Sequence, residues 1–228
     1  MKVFVQGSRV VLGTLQMMTR HTVWAALIFA AMGWGFLPAS ASAEQAGNST
    51  AQVFIESLAK EAVEVLTAKD ISRAERVTEF RKLLSHNFDV PVIGRWVLGR
   101  YWQGASDEEK KQYLELFEDY VVITYVERFD QYSGEQIKVV KSVSDPGKDS
   151  LVFSEIDRPS DGAPIRIDWR VRNTSDSYKI IDVYVEGISM SQSQRKEFSS
   201  VIRSNGGTVA GLIKVLRKKV DNLSGPGS

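Results

Sequence analysis

The chain reads as an α+β protein, and three observations carry that reading. Apolar residues recur at threes and fours from residue 53 to 129, switch to alternation between 136 and 186, and return to helical spacing beyond 189. Turn-forming residues separate the alternating runs, and glycine or capping residues bound the helical ones. The order predicts N-terminal helices, a four-stranded antiparallel meander and C-terminal helices, with a curved sheet covered on one face.

The first helix follows a small polar stretch from Glu44 to Thr50, where Ser49 or Thr50 supplies the capping oxygen. Val53, Phe54, Leu58, Ala62, Val65 and Leu66 share its apolar face. After Asp70, Ser72 and Glu75 form a capping box for a second helix with Val77, Phe80, Leu83 and Leu84 inward. His86 lies near its end, where an imidazolium suits the helix dipole or faces solvent.

The bulkiest apolar surface belongs to Phe88 to Tyr132. Asp89 caps a short helix with Pro91 in its first turn, where the missing N–H costs nothing, and Gly99 ends it, leaving Tyr101 and Trp102 at a corner. Ser106 and Glu109 make another capping box. The long helix they open carries Tyr113, Leu116, Phe117, Tyr120, Val121, Thr124, Tyr125 and Phe129 at threes and fours.

Ser133-Gly134 breaks that pattern. Gln136 to Val143, Ser150 to Asp157, Pro164 to Asn173 and Ser177 to Glu186 then read as strands, joined at Asp145-Pro146-Gly147, Pro159 to Gly162 and Thr174-Ser175-Asp176. In the third, Ile165, Ile167, Trp169 and Val171 oppose Arg166, Asp168, Arg170 and Arg172. In the fourth, Ile181, Val183 and Val185 oppose Ile180, Asp182 and Tyr184, with Val183 and Val185 expected against helices. Gly187 ends the strand. Ser189 or Ser191 starts a helix running to Asn205-Gly206-Gly207, and a last helix over Thr208 to Val220 turns Leu212, Ile213, Val215 and Leu216 inward.

Before residue 44 the sequence has a different character. Lys2, Arg9 and Arg20 precede an apolar run from Val23 to Leu37, and Ala41-Ser42-Ala43 offers small residues for cleavage, so residues 1–43 read as a signal peptide. An apolar core of about 15 residues is short for a membrane span of about 20, although an uncut anchor is the alternative; Met17 or Met18 is an alternative start. Residues 44–222 form the expected domain and 223–228 a tail. Without Lys2, Arg9 and Arg20 the mature chain has 26 basic and 28 acidic residues, a balance with no sign of a nucleic-acid binder.

Catalytic equipment is sparse. The chain has no cysteine, so thiol nucleophiles, thiolate metal sites and disulfides are excluded, and His86 is the one histidine after the leader. Glu115 and Asp119 belong to a solvated helix face, and Asp168 and Asp182 sit among Arg166, Arg170 and Arg172, where cross-strand ion pairing accounts for them. No phosphate loop, nucleophile elbow or EF-hand spacing occurs; no catalytic residue, metal or cofactor is expected. An enzyme using a pocket carboxylate such as Asp182, and a protein-binding adaptor with a solid core, are the competing classes.

Three motifs carry a resemblance: FDVPVIGRWVLGRYW (Phe88 to Trp102), DVYVEGISM (Asp182 to Met190) and QRKEF (Gln194 to Phe198) leading to the NGG stop. Together they resemble the toluene-tolerance family of periplasmic lipid carriers, the soluble shuttle of the bacterial Mla phospholipid transport system. YSGE (Tyr132 to Glu135), IDWRV (Ile167 to Val171) and VIRSNGG are similar to its hopanoid-associated branch, while Tyr178 stands where family members often have Trp. The resemblance implies a monomeric, non-enzymatic periplasmic carrier of phospholipid, or of a hopanoid, with an apolar cavity between sheet and helices. Its partners would be an inner-membrane lipid ABC transporter complex and an outer-membrane lipoprotein complex. The expected lining is Trp96, Tyr101, Tyr120, Val121 and Tyr125 from the helices and Ile167, Trp169, Val171, Val183 and Val185 from the sheet. Arg170, Arg172 and Arg195 are the candidates for a headgroup or partner surface.

Overall fold

The computed structural model describes residues 50–68, 71–129, 135–144, 149–157, 163–175 and 177–224. The leader, the Ser133-Gly134 break, the turns at 145–147 and 159–162, Asp176, part of the YSGE motif and residues 225–228 lie outside the described residues, as do the side chains of Leu66 and Phe129.

The N-terminal helices start where capping chemistry places them. α1 (Thr50–Thr67) leads to α2 (Arg73–Asn87), whose capping box is complete: the Ser72 N–H donates to Glu75 Oε2 at 2.8 Å and the Glu75 N–H to Ser72 Oγ at 3.2 Å. These bonds hold the Glu75 carboxyl below its ordinary pKa, the backbone donor being the larger cause. α3 (Val90–Leu98) is capped by Asp89, which accepts from the Val92 N–H at 3.1 Å, and ends at Gly99 with φ 58°. The expected aromatic corner is itself a single helical turn, α4 (Tyr101–Gly104).

α5 (Asp107–Phe129) opens on the Ser106–Glu109 box, with bonds of 2.8 and 3.2 Å. Tyr113 and Phe117 are buried as expected, but so are Val122, Ile123 and Val126, whereas Tyr125 is exposed. The single-stripe expectation fails because α5 packs against α7, α2 and α3 together, so more than one face is covered.

Among the described residues five strands, one more than the expected four, form an antiparallel sheet in the order β1 (Gln136–Ser144), β2 (Ser150–Asp157), β3 (Ile165–Asn173), β4 (Tyr178–Val185) and β5 (Ile188–Ser189). Glu186 and Gly187, at φ 50° and 77°, supply the two left-handed residues of a tight hairpin, so Gly187 turns the chain into β5 instead of ending the sheet. A second correction concerns β4. Trp169 pairs with Val183 and Val171 with Ile180, so a bulge at Ile181 puts Ile180 and Val183 on the same face. Strict alternation had opposed them; instead Ile180 is fully buried beneath the helices.

α6 (Met190–Ser204) is capped by Ser189, whose Oγ accepts from the Gln192 N–H at 3.0 Å, which decides between the two serines. Its end is a glycine stop: Gly206 and Gly207 have φ 83° and 73°, and the Gly207 N–H donates to the Ile202 carbonyl at 2.9 Å. α7 (Val209–Ser224) buries Leu212, Ile213 and Leu216, leaves Val215 half-buried and continues past residue 222. Among the described residues no helix is long and apolar enough to cross a membrane.

Among the described residues the buried apolar side chains divide into two clusters. One is helical, centred on Val97, Tyr113, Phe117, Phe198, Ile202 and Leu212. The other joins α1 and α2 to the sheet through Ile55, Leu58, Leu83, Val152, Val171 and Ile180. Phe88 packs against both, and the chain there bridges to β4, with the Asp89 N–H donating to the Ile180 carbonyl at 2.9 Å.

Candidate functional site

The five apolar sheet candidates share one face. The cross-strand partners Ile167 and Val185, Trp169 and Val183, and Val171 and Ile180 place them side by side. Val171 and Ile167 are buried, whereas Trp169, Val183 and Val185 are half-buried. The indole N–H of Trp169 donates to Ser154 Oγ at 2.9 Å, and that hydroxyl donates to the Ile167 carbonyl at 2.8 Å. The polar atom of the indole is thereby tied to the sheet, which leaves its remaining surface apolar.

The helical candidates lie elsewhere. Tyr101, Tyr120 and Val121 pack on the helical cluster, while Trp169 and Val183 pack on the sheet cluster. The Tyr120 ring meets Phe198 at 6.1 Å and has Lys219 Nζ 5.2 Å above it, at an open cleft of about 320 Å³ also lined by Thr124, Asn222 and Leu223. Trp96 is 44% exposed and faces α6, and Tyr125 is 37% exposed. The fold therefore brings the sheet residues together but not the whole expected set.

The charged candidates divide as well. Asp149 accepts from Arg170 Nε at 3.0 Å and Arg172 Nε at 2.8 Å, so both arginines are engaged within the sheet surface. Those bonds, Arg172's first, hold the Asp149 carboxyl below its ordinary range and raise Arg172 further. Arg195 has no carboxylate partner among the described residues. Its guanidinium lies 5.1 Å from the Trp96 ring, across a cleft of about 340 Å³ lined by Trp96, Gln192, Arg195, Lys196, Ser199 and Arg203. Sequence reasoning singled out Arg195 and Trp96 but missed the rest. Positions 192, 195, 196, 199 and 203 recur at helical spacing, and that polar stripe was the available signal.

The carboxylates considered for acid–base chemistry have structural partners. Asp168 is buried and binds Arg166 Nη2 at 2.7 Å. Asp119 and Glu118 bind Arg81 at 2.7 and 3.1 Å. Asp182 accepts from the Val183 N–H at 2.9 Å, Ser189 Oγ at 2.6 Å and the Ser191 N–H at 3.1 Å, so it fastens the start of α6 to β4. Among the described residues no three His, Cys, Asp or Glu side chains gather as a metal site would require.

Fold and site define an α+β protein of two apolar layers, with Asp149 and Asp168 engaged in ion pairs and Asp182 in hydrogen bonds at the start of α6. Its family model is that of the MlaC protein, which matches residues 56–218, and the chain belongs to that family. It is similar to the Haemophilus influenzae intermembrane phospholipid transport system binding protein MlaC, with 24% identity over 122 residues, covering 52% of this chain and 56% of the relative. The matched segment thus spans little more than half of that protein. In fold the chain is similar to a phospholipid-binding protein from Ralstonia solanacearum, solved in complex with a phospholipid, with a TM-score of 0.66 and 20% identity. That likeness covers 77% of this chain and 99% of the other.

Proposed function

We propose that this protein is a periplasmic phospholipid carrier that catalyses no reaction and shuttles lipid between an inner-membrane ABC transporter complex and an outer-membrane lipoprotein complex. The observation that carries the reading is the MlaC family match, because residues 56–218 take in the buried helical cluster and, apart from Ala51 and Ile55, the buried residues of the sheet cluster. The named functions of the Haemophilus and Ralstonia relatives, intermembrane phospholipid transport and phospholipid binding, agree with it. The leader at 1–43 supplies the route to the periplasm.

The acyl chain enters along the sheet's inner face, where Trp169, Val183 and Val185 are only half-buried. Helical residues such as Tyr101, Tyr120 and Val121 complete the lining when the layers part. Transfer of one 16-carbon chain from water contributes on the order of 12 kcal/mol at about 0.8 kcal/mol per methylene. Release into water is correspondingly slow, so unloading takes place against a membrane complex.

Native mass spectrometry of the mature chain, purified without detergent and followed by solvent extraction, tests this. Stoichiometric phospholipid is the expected result, and a hopanoid in its place would reassign the cargo. A bare protein that also takes up no lipid from vesicles would overturn the carrier reading.

A further inference from the structure

The cleft between α3 and α6 differs in its charge pairing from the sheet and from Arg81 on α2. On the sheet and on α2, arginines meet carboxylates: Arg166 meets Asp168 at 2.7 Å, Arg172 meets Asp149 at 2.8 Å, and Arg81 meets Asp119 at 2.7 Å. On α6 and in the segment from α3 to α4, arginines meet aromatic rings instead. Arg195 lies over Trp96 at 5.1 Å, Arg100 over Tyr101 at 4.9 Å and Arg95 over Trp102 at 5.9 Å. The cleft's six lining residues include three cations, Arg195, Lys196 and Arg203, and no acid.

Ring stacking and carboxylate pairing leave a guanidinium in different states. A carboxylate neutralises it and occupies its N–H fork, whereas a ring covers one face, fixes the plane and leaves the edge donors available. Gly99 shows how closely Arg195 is placed: a Cβ there would stand 2.6 Å from Arg195 Nε. Arg203 adds to the same field. The Tyr101 phenol is held below its ordinary pKa, chiefly by the bond from Arg100 at 3.0 Å and with a contribution from Arg203. Val92, one turn before Trp96 on α3, is also exposed.

We propose that this cleft is a docking site for an acidic segment of a partner protein. Oriented guanidinium edges, the Gln192 amide and the Ser199 hydroxyl suit carboxylates and peptide groups, and Trp96 provides the apolar anchor that protein interfaces concentrate beside arginine. The concavity favours an inserted segment over a flat bilayer, which projecting side chains engage. None of the lining comes from the sheet, so docking is measured independently of lipid carriage.

The test uses the full mature chain, a capped decapeptide rich in glutamate and aspartate, and NMR detection of the tryptophan indole N–H signals. The peptide is expected to shift the Trp96 signal and leave Trp169 in place. Lys196→Glu with Arg203→Glu, which keeps Arg195 on Trp96, should weaken binding by roughly tenfold or more. Lys214→Glu with Lys218→Glu, exposed residues on α7, makes the same change in net charge and should alter affinity by less than about twofold. Equal weakening by both pairs, or an unmoved Trp96 signal, would overturn the proposal. So would binding to phosphatidylglycerol vesicles that depends on Lys196 and Arg203 while the peptide does not bind. Circular dichroism checks the fold of each variant, and Ser199→Glu, a single exchange on the cleft wall, provides a second reading should the double variant not fold.

Discussion

Replacing Asp182 separates a structural carboxylate from a catalytic one, and the structure sets the size of the effect. Its side chain is 9% exposed and accepts three hydrogen bonds, two of them from Ser189 Oγ and the Ser191 N–H across the junction of β4 with α6. A bond to a charged acceptor contributes about 1.5–3 kcal/mol, so Asp182→Ala should cost about 3–6 kcal/mol through the two junction bonds. Asp182→Asn retains an acceptor for both backbone N–H groups and loses mainly the charge and the Ser189 bond, for about 1–2 kcal/mol. In urea unfolding with a slope of about 2 kcal/mol/M, the alanine variant's midpoint falls by about 1.5–3 M and the asparagine variant's by less than half of that. Lipid content per folded molecule should be unchanged in both. An alanine variant within about 0.5 kcal/mol of the parent would refute the role of Asp182 in anchoring α6, since 0.5 is below the smallest contribution of one such bond.

Three further outcomes are expected. Phe198→Ala, at a 2%-exposed ring surrounded by Tyr113, Phe117 and Tyr120 at 6.1–6.3 Å, should destabilise by about 3–5 kcal/mol in the same unfolding assay. Gly94→Ala would gain about 1 kcal/mol of helix propensity, but its Cβ would stand 2.7 Å from Leu114 Cδ2 and 3.1 Å from the buried Phe117 ring. Overpacking prevails by about 1 kcal/mol, and a stabilised variant would contradict the close approach of α3 and α5. For Asp149 the folded pKa is depressed by Arg172 and Arg170, so its stabilisation is fully present above the unfolded value of about 3.9 and is lost as pH falls through the folded one. The stability difference between the parent and Asp149→Asn should therefore hold constant above about pH 5 and shrink below about pH 4.

Much of the fold was legible because its boundaries are set by local chemistry. The capping pairs Ser72–Glu75 and Ser106–Glu109, the Asp89 cap and the Gly206-Gly207 stop each act within a few residues, and all appear where the sequence put them. The bulge at Ile181 was not legible: whether a strand skips a residue depends on its partner, and only the pairing of Val171 with Ile180 moves Ile180 inward. The same holds for α5. Its period identifies a helix but not its number of neighbours, and burial of Val122 and Val126 follows from the packing of α7, α2 and α3 around it. The alternation of β3 did place Ile167, Trp169 and Val171 together, while the helical candidates dispersed because Tyr120 turns to Phe198 and Trp96 to Arg195.

On the carrier reading proposed above, the division of the core bears on where an acyl chain would be admitted at least cost. Inside the helical cluster a tail would displace Tyr113, Phe117 and Phe198, whose rings lie within 6.3 Å of one another, and each large side chain forced from a packed site costs on the order of 3–5 kcal/mol. Two or three such losses would consume most of the roughly 12 kcal/mol that one 16-carbon chain supplies. On the sheet side, Trp169 and Val183 are half-buried before any tail arrives, and Phe88 packs on both clusters. The same contact that joins the layers, Phe88 beside Ile180, is therefore the place where loading a lipid should be felt most in the protein's own packing.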